Sequence, residues 1–170
     1  IARLIWWFSF RLAQRDEMQP KVTVVVPVYN VEEYLADCLR SLRAQNYKNF
    51  EIIAVNDGAT DGSAAILQKF AATTKNLRIV TQHNQGLGAA RNAGVNAIQH
   101  TDYLMFVDSD DLLPLAAISR YVKQATKSGS KLVVGKTVCF YGMRFFARTS
   151  TAKFFTSNLS ATTLNEHPEF

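Results

Sequence analysis

Three carboxylates follow an apolar run in the stretch YLMFVDSDD, which extends from Tyr103 to Asp111. Carboxylates about 5 Å apart repel by roughly 1–3 kcal/mol per pair unless a positive charge lies among them. The spacing of Asp108 and Asp110 lets both point to one side, where hard carboxylate oxygens suit Mg²⁺ or Mn²⁺ together with a phosphate. Alternatively, Asp110 or Asp111 caps a helix that begins at Leu115. The pattern by itself leaves a metal site and a helix cap open.

Polar residues also follow three earlier apolar runs. Tyr29 comes after VTVVVPV, Asp57 follows FEIIAV, and Arg91 lies in QHNQGLGAARNAG, which follows LRIVT. Tyr29 is either a core residue or a platform on which a base stacks. The carboxylate of Asp57 precedes a turn and can accept hydrogen bonds from a base or a ribose. Arg91 occupies the place of a third glycine, which argues against a Rossmann dinucleotide site and suits a phosphate or a nucleotide ring.

The elements that must position these residues alternate between strand and helix patterns from Pro20 onward. Apolar periodicity predicts strands at 22–28, 50–55, 77–81, 103–107 and 131–135, and helices at 31–45, 61–72, 87–98 and 115–126. Asp61 or Ser63 is predicted to cap the second helix. Continuously apolar strands joined by crossover helices predict an α/β fold, with a parallel sheet covered on both faces. Ligands of such sheets bind outside the carboxyl ends of the strands, where the polar loops should converge.

Composition supports one globular domain with a core, since 48% of the 170 residues are hydrophobic. The two cysteines, Cys38 and Cys139, are too few for a disulfide framework and are interpreted as packing residues in a reduced setting. The net charge of +5 comes from the last third of the chain, where Glu166 and Glu169 are the only acids after Asp111. A basic face fits nucleic acid, anionic lipid, a phosphate-bearing substrate or plain solvent. No spacing of the histidines suggests zinc.

The two ends of the chain lack the strand and helix alternation. Residues 1–20 begin with about thirteen apolar and aromatic residues that are interrupted by Arg3 and Arg11. This run is too short and too charged for a membrane span, and it lacks the small-residue cleavage site of a signal peptide. We expect an amphipathic segment that lies in a membrane interface, or a linker that packs on a neighbouring domain of a longer protein. The absence of a starting methionine favours the neighbouring domain. Residues 136–170 show no clean period.

The motifs VVVPVYNVEEYLADCLRSLRAQNYKNFEIIAVNDGATDGS, NQGLGAARNAG and YLMFVDSDD, in this order, resemble glycosyltransferase family 2 from about Lys21 to Val134. These are inverting enzymes with the GT-A fold, a Rossmann-like, mostly parallel sheet with helices on both faces. The resemblance implies a nucleotide-sugar donor, with a UDP-sugar first among the candidates, and Mg²⁺ or Mn²⁺ as cofactor. By position it assigns a donor site to seven residues: Pro27, Tyr29 and Glu32 line the nucleotide pocket, Asp57 reads the base, Arg91 reaches toward the nucleotide, Asp108 holds the ribose side, and Asp110 holds the metal.

The same resemblance implies a division of the chain. Residues 21–135 form the nucleotide-sugar-binding GT-A half, and residues 136–170 begin an acceptor-side region that we expect to be truncated. The family takes its catalytic base from an acid well downstream of the D-x-D motif, and neither Glu166 nor Glu169 lies in a matching motif. The base is therefore expected beyond Phe170. We predict that this piece binds donor nucleotide but transfers sugar poorly.

A second resemblance concerns the tail LVVGKTVCFYGMRFF and LNEHPEF, which is similar to the transferase domain of bacterial enzymes that build teichoic-acid-type cell-wall polymers. It implies a glycan or polyol-phosphate acceptor rather than nucleic acid, a fused partner domain, and a place in the cytoplasm at the inner face of the membrane. The alternative is a catalytically inactive nucleotide-sugar-binding module of a larger protein. A response-regulator-like domain would leave Arg91 without a role.

Overall fold

The computed structural model of the chain describes residues 19–135, together with the backbone of 139–141 and 144–148. The chain divides after Ile118 into two compact units. The first unit contains β1 (Val22–Val28), α1 (Glu32–Arg43), β2 (Phe50–Asp57), α2 (Ser63–Ala71), β3 (Leu77–Gln82), α3 (Leu87–Asn96) and β4 (Tyr103–Phe106). Helix α4 (Ala117–Ser128) begins at the end of the first unit, and the second unit also holds β5 (Cys139–Tyr141) and β6 (Arg144–Arg148). Strands β5 and β6 are antiparallel.

The first unit is built on a four-stranded sheet in the order β3-β2-β1-β4. Every pairing in this sheet is parallel, and Val25 of β1 lies between Ile53 of β2 and Phe106 of β4. The chain moves outward from β1 through β2 to β3, then returns to form β4 on the other side of β1. Strand order therefore reverses between β1 and β4. This arrangement confirms the predicted α/β fold with a parallel sheet.

Strand β1 forms the centre of the sheet because its sequence VTVVVPV is apolar and β-branched almost throughout. All seven residues are buried, so both faces of the sheet are covered at this strand. Pro27 lacks a backbone N–H, which is normally unfavourable in a central strand. Val25 accepts a hydrogen bond from the N–H of Val107 on the β4 side, and Pro27 faces the same side two residues later. Pairing with β4 ends at Phe106, so no ladder bond is lost at Pro27.

Helix α3 approaches one face of the sheet unusually closely because of Gly94. A Cβ at this position would overlap Cγ1 of Val25 and lie 3.2 Å from Cγ2 of Val55. Val25, Ile53 and Val55 form a buried cluster with Ala90 of the same helix. The close approach of α3, which also carries Arg91, sets the position of this helix relative to β1 and β2.

Helix α1 buries Leu35, Cys38, Leu39 and Leu42, whereas Tyr34, which belongs to the same predicted apolar period, is 50% exposed. The expectation that Cys38 is a packing residue is confirmed, since its side chain is fully buried. The side chain of Cys139 lies outside the described residues. Helices α1 and α2 contact each other.

The structure differs from the sequence predictions at two places after β4. Residues 131–135 form no strand, and Leu132 and Val134 are exposed, because an apolar β-branched run becomes a strand only when a neighbour completes its hydrogen bonds. The helix predicted at Leu115 begins at Ala117, after a turn in which the N–H of Ala117 donates to Pro114. Neither Asp110 nor Asp111 lies at its first residues, so the capping alternative for these acids fails.

The terminal segments of the sequence analysis fall largely outside the described residues. Residues 1–18 lie outside the described part of the chain, so the predictions for the N-terminal segment stay predictions. Of residues 136–170, only the backbone of β5 and β6 is described. Within the described residues, no helix has both the length and the apolar character that crossing a membrane requires.

Candidate donor-binding site

The polar loops converge on the edge of the sheet where the strands end. Tyr29 follows β1, Asp57 is the last residue of β2, and Asp108 lies two residues after β4. The reversal of strand order between β1 and β4 creates a crevice, which is the usual ligand position in open α/β sheets. The loop of Tyr29 and the loop that carries Asp110 flank it from the two sides. Tyr29 is 45% exposed, so its ring is available at this edge rather than part of the core.

Arg91 and Asp108 form an ion pair in the crevice. The Nη2 atom of Arg91 lies 2.6 Å from Oδ1 of Asp108, with the two side chains 33% and 46% exposed. The guanidinium carbon also lies 5.9 Å from the centroid of the Phe106 ring. Its Nε is buried and has no hydrogen-bond partner in the described part of the chain. The pair neutralises one of the three carboxylates and leaves one buried donor of Arg91 unused.

The two other acids of the loop, Asp110 and Asp111, are exposed and have no cationic partner among the described residues. Partial burial, followed by repulsion from Asp110 and Asp108, raises the pKa of Asp111 above its usual value. The N–H of Asp111 donates to the carbonyl of Asp108 at 3.0 Å and closes a turn. Negative charge thus remains unbalanced at the loop.

We tested whether this loop fits a divalent cation. Its donors are carboxylate oxygens, the ligand type that Mg²⁺ and Mn²⁺ prefer. The described residues contain no group of three His, Cys, Asp or Glu that could enclose an ion. Mg²⁺ commonly binds through one or two carboxylates and completes its shell with substrate phosphates. The loop fits a cation of that shared kind, and it does not fit an ion held by the protein alone.

Asp57 is 2% exposed and accepts three hydrogen bonds, one from the last residue of β3 and two from the loop that precedes α3. Its Oδ1 accepts from Nε2 of Gln82 at 2.7 Å and from the N–H of Gln85 at 3.0 Å. Its Oδ2 accepts from the N–H of Gly86 at 2.9 Å, where φ is 87°. Burial acts to raise the pKa of Asp57, but these hydrogen bonds outweigh it and hold the pKa below its usual value. The carboxylate shapes the loop that leads to Arg91, and its Oδ2 keeps one further acceptor position.

The starts of α1 and α2 are joined by reciprocal hydrogen bonds. Glu32 accepts the N–H of Gly62, while Asp61 accepts the N–H of Glu32 at 3.0 Å and that of Ser63 at 2.9 Å. The hydroxyl of Ser63 accepts the N–H of Val31 at 3.1 Å. The cap residue of α2 is Gly62, without a side-chain cap bond, so the predicted cap at Asp61 or Ser63 is wrong in position. Asp61 nevertheless satisfies one of the orphan donors of α2.

The Tyr29 loop is held by its neighbour Asn30, whose role the sequence analysis missed. Asn30 has a φ of 50°, in the left-handed region that few residue types other than glycine and asparagine adopt. Its Oδ1 accepts the N–H of Thr60 at 2.8 Å and the hydroxyl of Thr60 at 3.3 Å. An asparagine after a strand is typical of a turn. The partner of Asn30, however, lies 30 residues later in the chain, so local sequence could not predict it.

The family profile described as "Glycosyl transferase family 2" matches residues 23–169. The chain belongs to glycosyl transferase family 2. A curated relative, Glycosyltransferase GlyA of Streptococcus pneumoniae, is 42% identical over 74% of this chain and 18% of its own length. The teichoic acid poly(glycerol phosphate) polymerase of Staphylococcus epidermidis is 38% identical over 61% of this chain and 15% of its own length.

Solved structures of S. aureus TarS are similar to this family-2 chain. One matches with a TM-score of 0.65 at 28% identity, covering 73% of this chain and 23% of TarS. Another, of TarS 1–349 in complex with UDP-GlcNAc, matches with a TM-score of 0.60 at 28% identity, covering 71% of this chain and 37% of that one. The family-2 chain spans less than half the length of each of these proteins, so the activity of a whole protein is a matter for proposal.

Three of the seven predicted donor-site residues of this family-2 chain, Tyr29, Asp108 and Asp110, lie in loops that follow strands at the carboxyl edge. The other four lie within regular elements: Pro27 near the end of β1, Asp57 at the end of β2, Glu32 in the first turn of α1 and Arg91 in α3. The structure also adds their partners, which the sequence analysis did not name. Gln82 and Gln85 hold Asp57, and Gly62 binds Glu32. The assigned roles in donor binding stay predictions.

Proposed function

We propose that this family-2 chain binds a nucleoside diphosphate sugar, with a UDP-sugar preferred, and forms the donor half of an inverting glycosyltransferase that builds bacterial cell-envelope polysaccharide or teichoic acid. One observation carries the proposal. At the reversal of strand order, the Arg91–Asp108 ion pair lies beside two exposed acids that have no cationic partner among the described residues, and the exposed ring of Tyr29 follows the neighbouring strand β1. These side chains can each bind one part of a donor: the exposed acids a cation, Arg91 a diphosphate and the ring of Tyr29 a base. The UDP-GlcNAc in the TarS structure supports the donor class.

The residues divide the donor among them. Tyr29 stacks on the base, since an exposed aromatic ring offers a flat apolar face. Arg91 offers the exposed part of its guanidinium to the diphosphate, and Asp108 accepts from ribose hydroxyls through the oxygen that does not pair with Arg91. Asp110, with Asp111 beside it, would hold the divalent metal that members of this family generally use. When bound, that metal would neutralise charge on the leaving nucleoside diphosphate.

Transfer with inversion requires an acceptor hydroxyl in line with the bond from the anomeric carbon to the diphosphate oxygen. The new carbon–oxygen bond forms as that bond breaks, and a carboxylate base takes the hydroxyl proton. No Asp or Glu occurs between residues 112 and 135, so the described residues after Asp111 supply no such base. Glu166 and Glu169 lie outside the described residues and in no matching motif of the family, so we infer that the base comes from chain beyond Phe170. The second candidate function, a nucleotide-sugar-binding module without its own transfer activity, is favoured by the same observation.

For the acceptor, we propose a chemical class only. Basic residues predominate after Asp111, and a polyanionic acceptor such as a polyol phosphate suits them. The teichoic acid polymerase among the relatives supports this class of acceptor. We propose a site of action at the cytoplasmic face of the membrane, where nucleotide sugars are available.

Calorimetry with UDP-, CDP- and GDP-sugars, each with and without Mn²⁺, tests the donor proposal. We expect one nucleotide to bind and Mn²⁺ to strengthen that binding. Asp110→Asn should remove the effect of Mn²⁺, a loss of at least about tenfold in affinity, because even residues behind a metal ligand cost that much. Asp37→Asn, which changes an exposed carboxylate paired with Arg40 on α1, is the matched control and should bind as the wild type does. Binding that ignores both Mn²⁺ and Asp110→Asn would refute the metal role.

A further inference from the structure

The acidic loop belongs to a segment with little regular structure. Strand β4 ends at Phe106, and α4 begins only at Ala117. The backbone of the segment contributes two turns, in which the N–H of Asp111 donates to Asp108 at 3.0 Å and that of Ala117 to Pro114 at 2.9 Å. A further backbone bond comes from outside the segment, since the N–H of Asn46 donates to Leu115 at 3.0 Å. Restricting the rest of the segment costs conformational entropy, which contacts with other elements must offset.

One face of α1 supplies that support at the start of the segment. The thiol of Cys38 donates to the carbonyl of Asp108 at 3.6 Å. Burial, and then repulsion from Asp111, Asp110 and Asp108, raises the pKa of Cys38 to about 12, which keeps the S–H donor in place at neutral pH. Three residues later, the hydroxyl of Ser41 accepts the N–H of Leu113 at 3.1 Å. Both residues lie on the same side of α1, since positions three apart share a helix face.

Gln45 holds the other end of the segment. Its side chain is 2% exposed and lies just past the end of α1. The Oε1 atom accepts the N–H of Ile118 at 3.2 Å, and Nε2 donates to the carbonyl of Pro114 at 2.8 Å and to that of Ser41 at 3.1 Å. The amide therefore bridges both sides of the turn that precedes α4 and ties it to α1. Only an amide side chain can accept and donate in this way at a neutral, buried position.

We propose that Gln45 is a positioning residue for metal binding: through Pro114 and Ile118 it fixes the segment behind Asp110 and Asp111, so that the two carboxylates face the crevice. The inference rests on the proposed function, because it concerns the same acids. It assigns to Gln45 no contact with donor or metal. Its effect passes through the backbone of the segment, as partners behind a metal ligand commonly act.

The first test uses the full 170-residue chain without metal. Gln45→Met keeps the length and apolar stem of the side chain but removes its acceptor and donors. We expect amide hydrogen exchange at Ile118 to accelerate by about tenfold, because its N–H loses the Oε1 acceptor and one lost acceptor changes the protection by roughly that factor. Asn76→Leu is the matched control, since Asn76 also donates an amide hydrogen bond to a carbonyl, that of Phe50, but at the opposite end of the sheet. Unchanged exchange in Gln45→Met would overturn the proposal.

The second test measures UDP affinity as a function of Mn²⁺ concentration and takes the concentration at which Mn²⁺ has half of its full effect. We expect Gln45→Met to raise it by about tenfold, within the range known for residues behind metal ligands, while Asn76→Leu leaves it unchanged. Gln45→Glu should fail as Met does, since a carboxylate cannot donate to two carbonyls. Faster exchange with a wild-type Mn²⁺ response would reduce Gln45 to a structural residue and refute the positioning role. A wild-type chain whose UDP binding ignores Mn²⁺ would instead refute the proposed metal site, on which this role depends.

Discussion

Asp57→Asn should destabilise the chain strongly, although it alters only one atom of the side chain. The carboxylate accepts three N–H donors, two at Oδ1 and one at Oδ2. An asparagine that keeps its oxygen at the position of Oδ1 would point its own NH₂ at the N–H of Gly86, and a flipped amide would lose two bonds instead of one. Hydrogen bonds to a charged group contribute about 1.5–3 kcal/mol each. With one bond lost and the other two no longer charge-assisted, we expect a loss of about 2–4 kcal/mol at pH 7.

The size of this loss should depend on pH in a definite direction. The folded protein holds the pKa of Asp57 below its usual value, so the carboxylate contributes stability that is present above the unfolded pKa of about 3.9. That stability is lost as pH falls through the lower, folded pKa. Asparagine does not titrate, so the difference between the wild type and Asp57→Asn should be constant between about pH 5 and 7 and should shrink below about pH 4.

Urea unfolding, followed at several pH values between 3 and 7, measures both effects. Asp37→Asn is the control, because its carboxylate is 65% exposed and pairs only with Arg40, an arrangement that contributes about 0–1 kcal/mol. Equal stability of the two variants at pH 7 would refute the claim that Asp57 holds the loop before α3. A difference that does not change with pH would refute the claim that the ionised form does so.

Two further changes test the frame around the site by urea unfolding. Gly94→Ala should lower the free energy of unfolding by about 1–3 kcal/mol, because the added methyl group overlaps the stiff side chain of Val25. Gly88→Ala in the same helix is the control: its methyl group meets open space, so this variant should be slightly more stable than the wild type. Equal effects of the two changes would contradict the close approach of α3. Asn30→Ala should lower the free energy of unfolding by about 2–3 kcal/mol, because alanine is strained in a left-handed backbone and two hydrogen bonds to Thr60 are lost. Asn30→Gly should relieve the backbone strain but not restore the hydrogen bonds, so its loss should be smaller. A glycine variant as unstable as the alanine variant would exclude strain at this turn.

The sequence predicted those parts of the fold that depend on local pattern. The predicted limits of β1, residues 22–28, agree with the structure, because a strand buried on both faces has a continuous apolar run whose ends are visible in the sequence. The similar run at 131–135 gave a wrong prediction, since its pattern carries no information on whether a partner strand exists. Strand ends also predicted which loops meet at the carboxyl edge, because parallel topology alone decides that.

The partners of the site residues could not be predicted in the same way. Asp57 binds backbone N–H groups of Gln85 and Gly86, which every residue type except proline would offer, so no side chain marks them. Gln45 is the last residue of a predicted helix, a position at which a glutamine is usually exposed. Its burial depends on a segment about 70 residues later in the chain. Long-range hydrogen bonds of this kind arise from the packing of elements and leave no local pattern.

The candidate site consists of two kinds of residue, and the difference bears on how it would bind a donor. Glu32, Asp57, Arg91 and Asp108 each have a protein partner that fixes the side chain. Tyr29 and Asp110 are exposed and have no hydrogen bond or ion pair within the described part of the chain. A frame that is ordered before binding lowers the entropy lost when a ligand is captured. Affinity should therefore depend most on the two unbonded side chains, whose contacts only a ligand can complete, while the four bonded ones determine where that ligand lies.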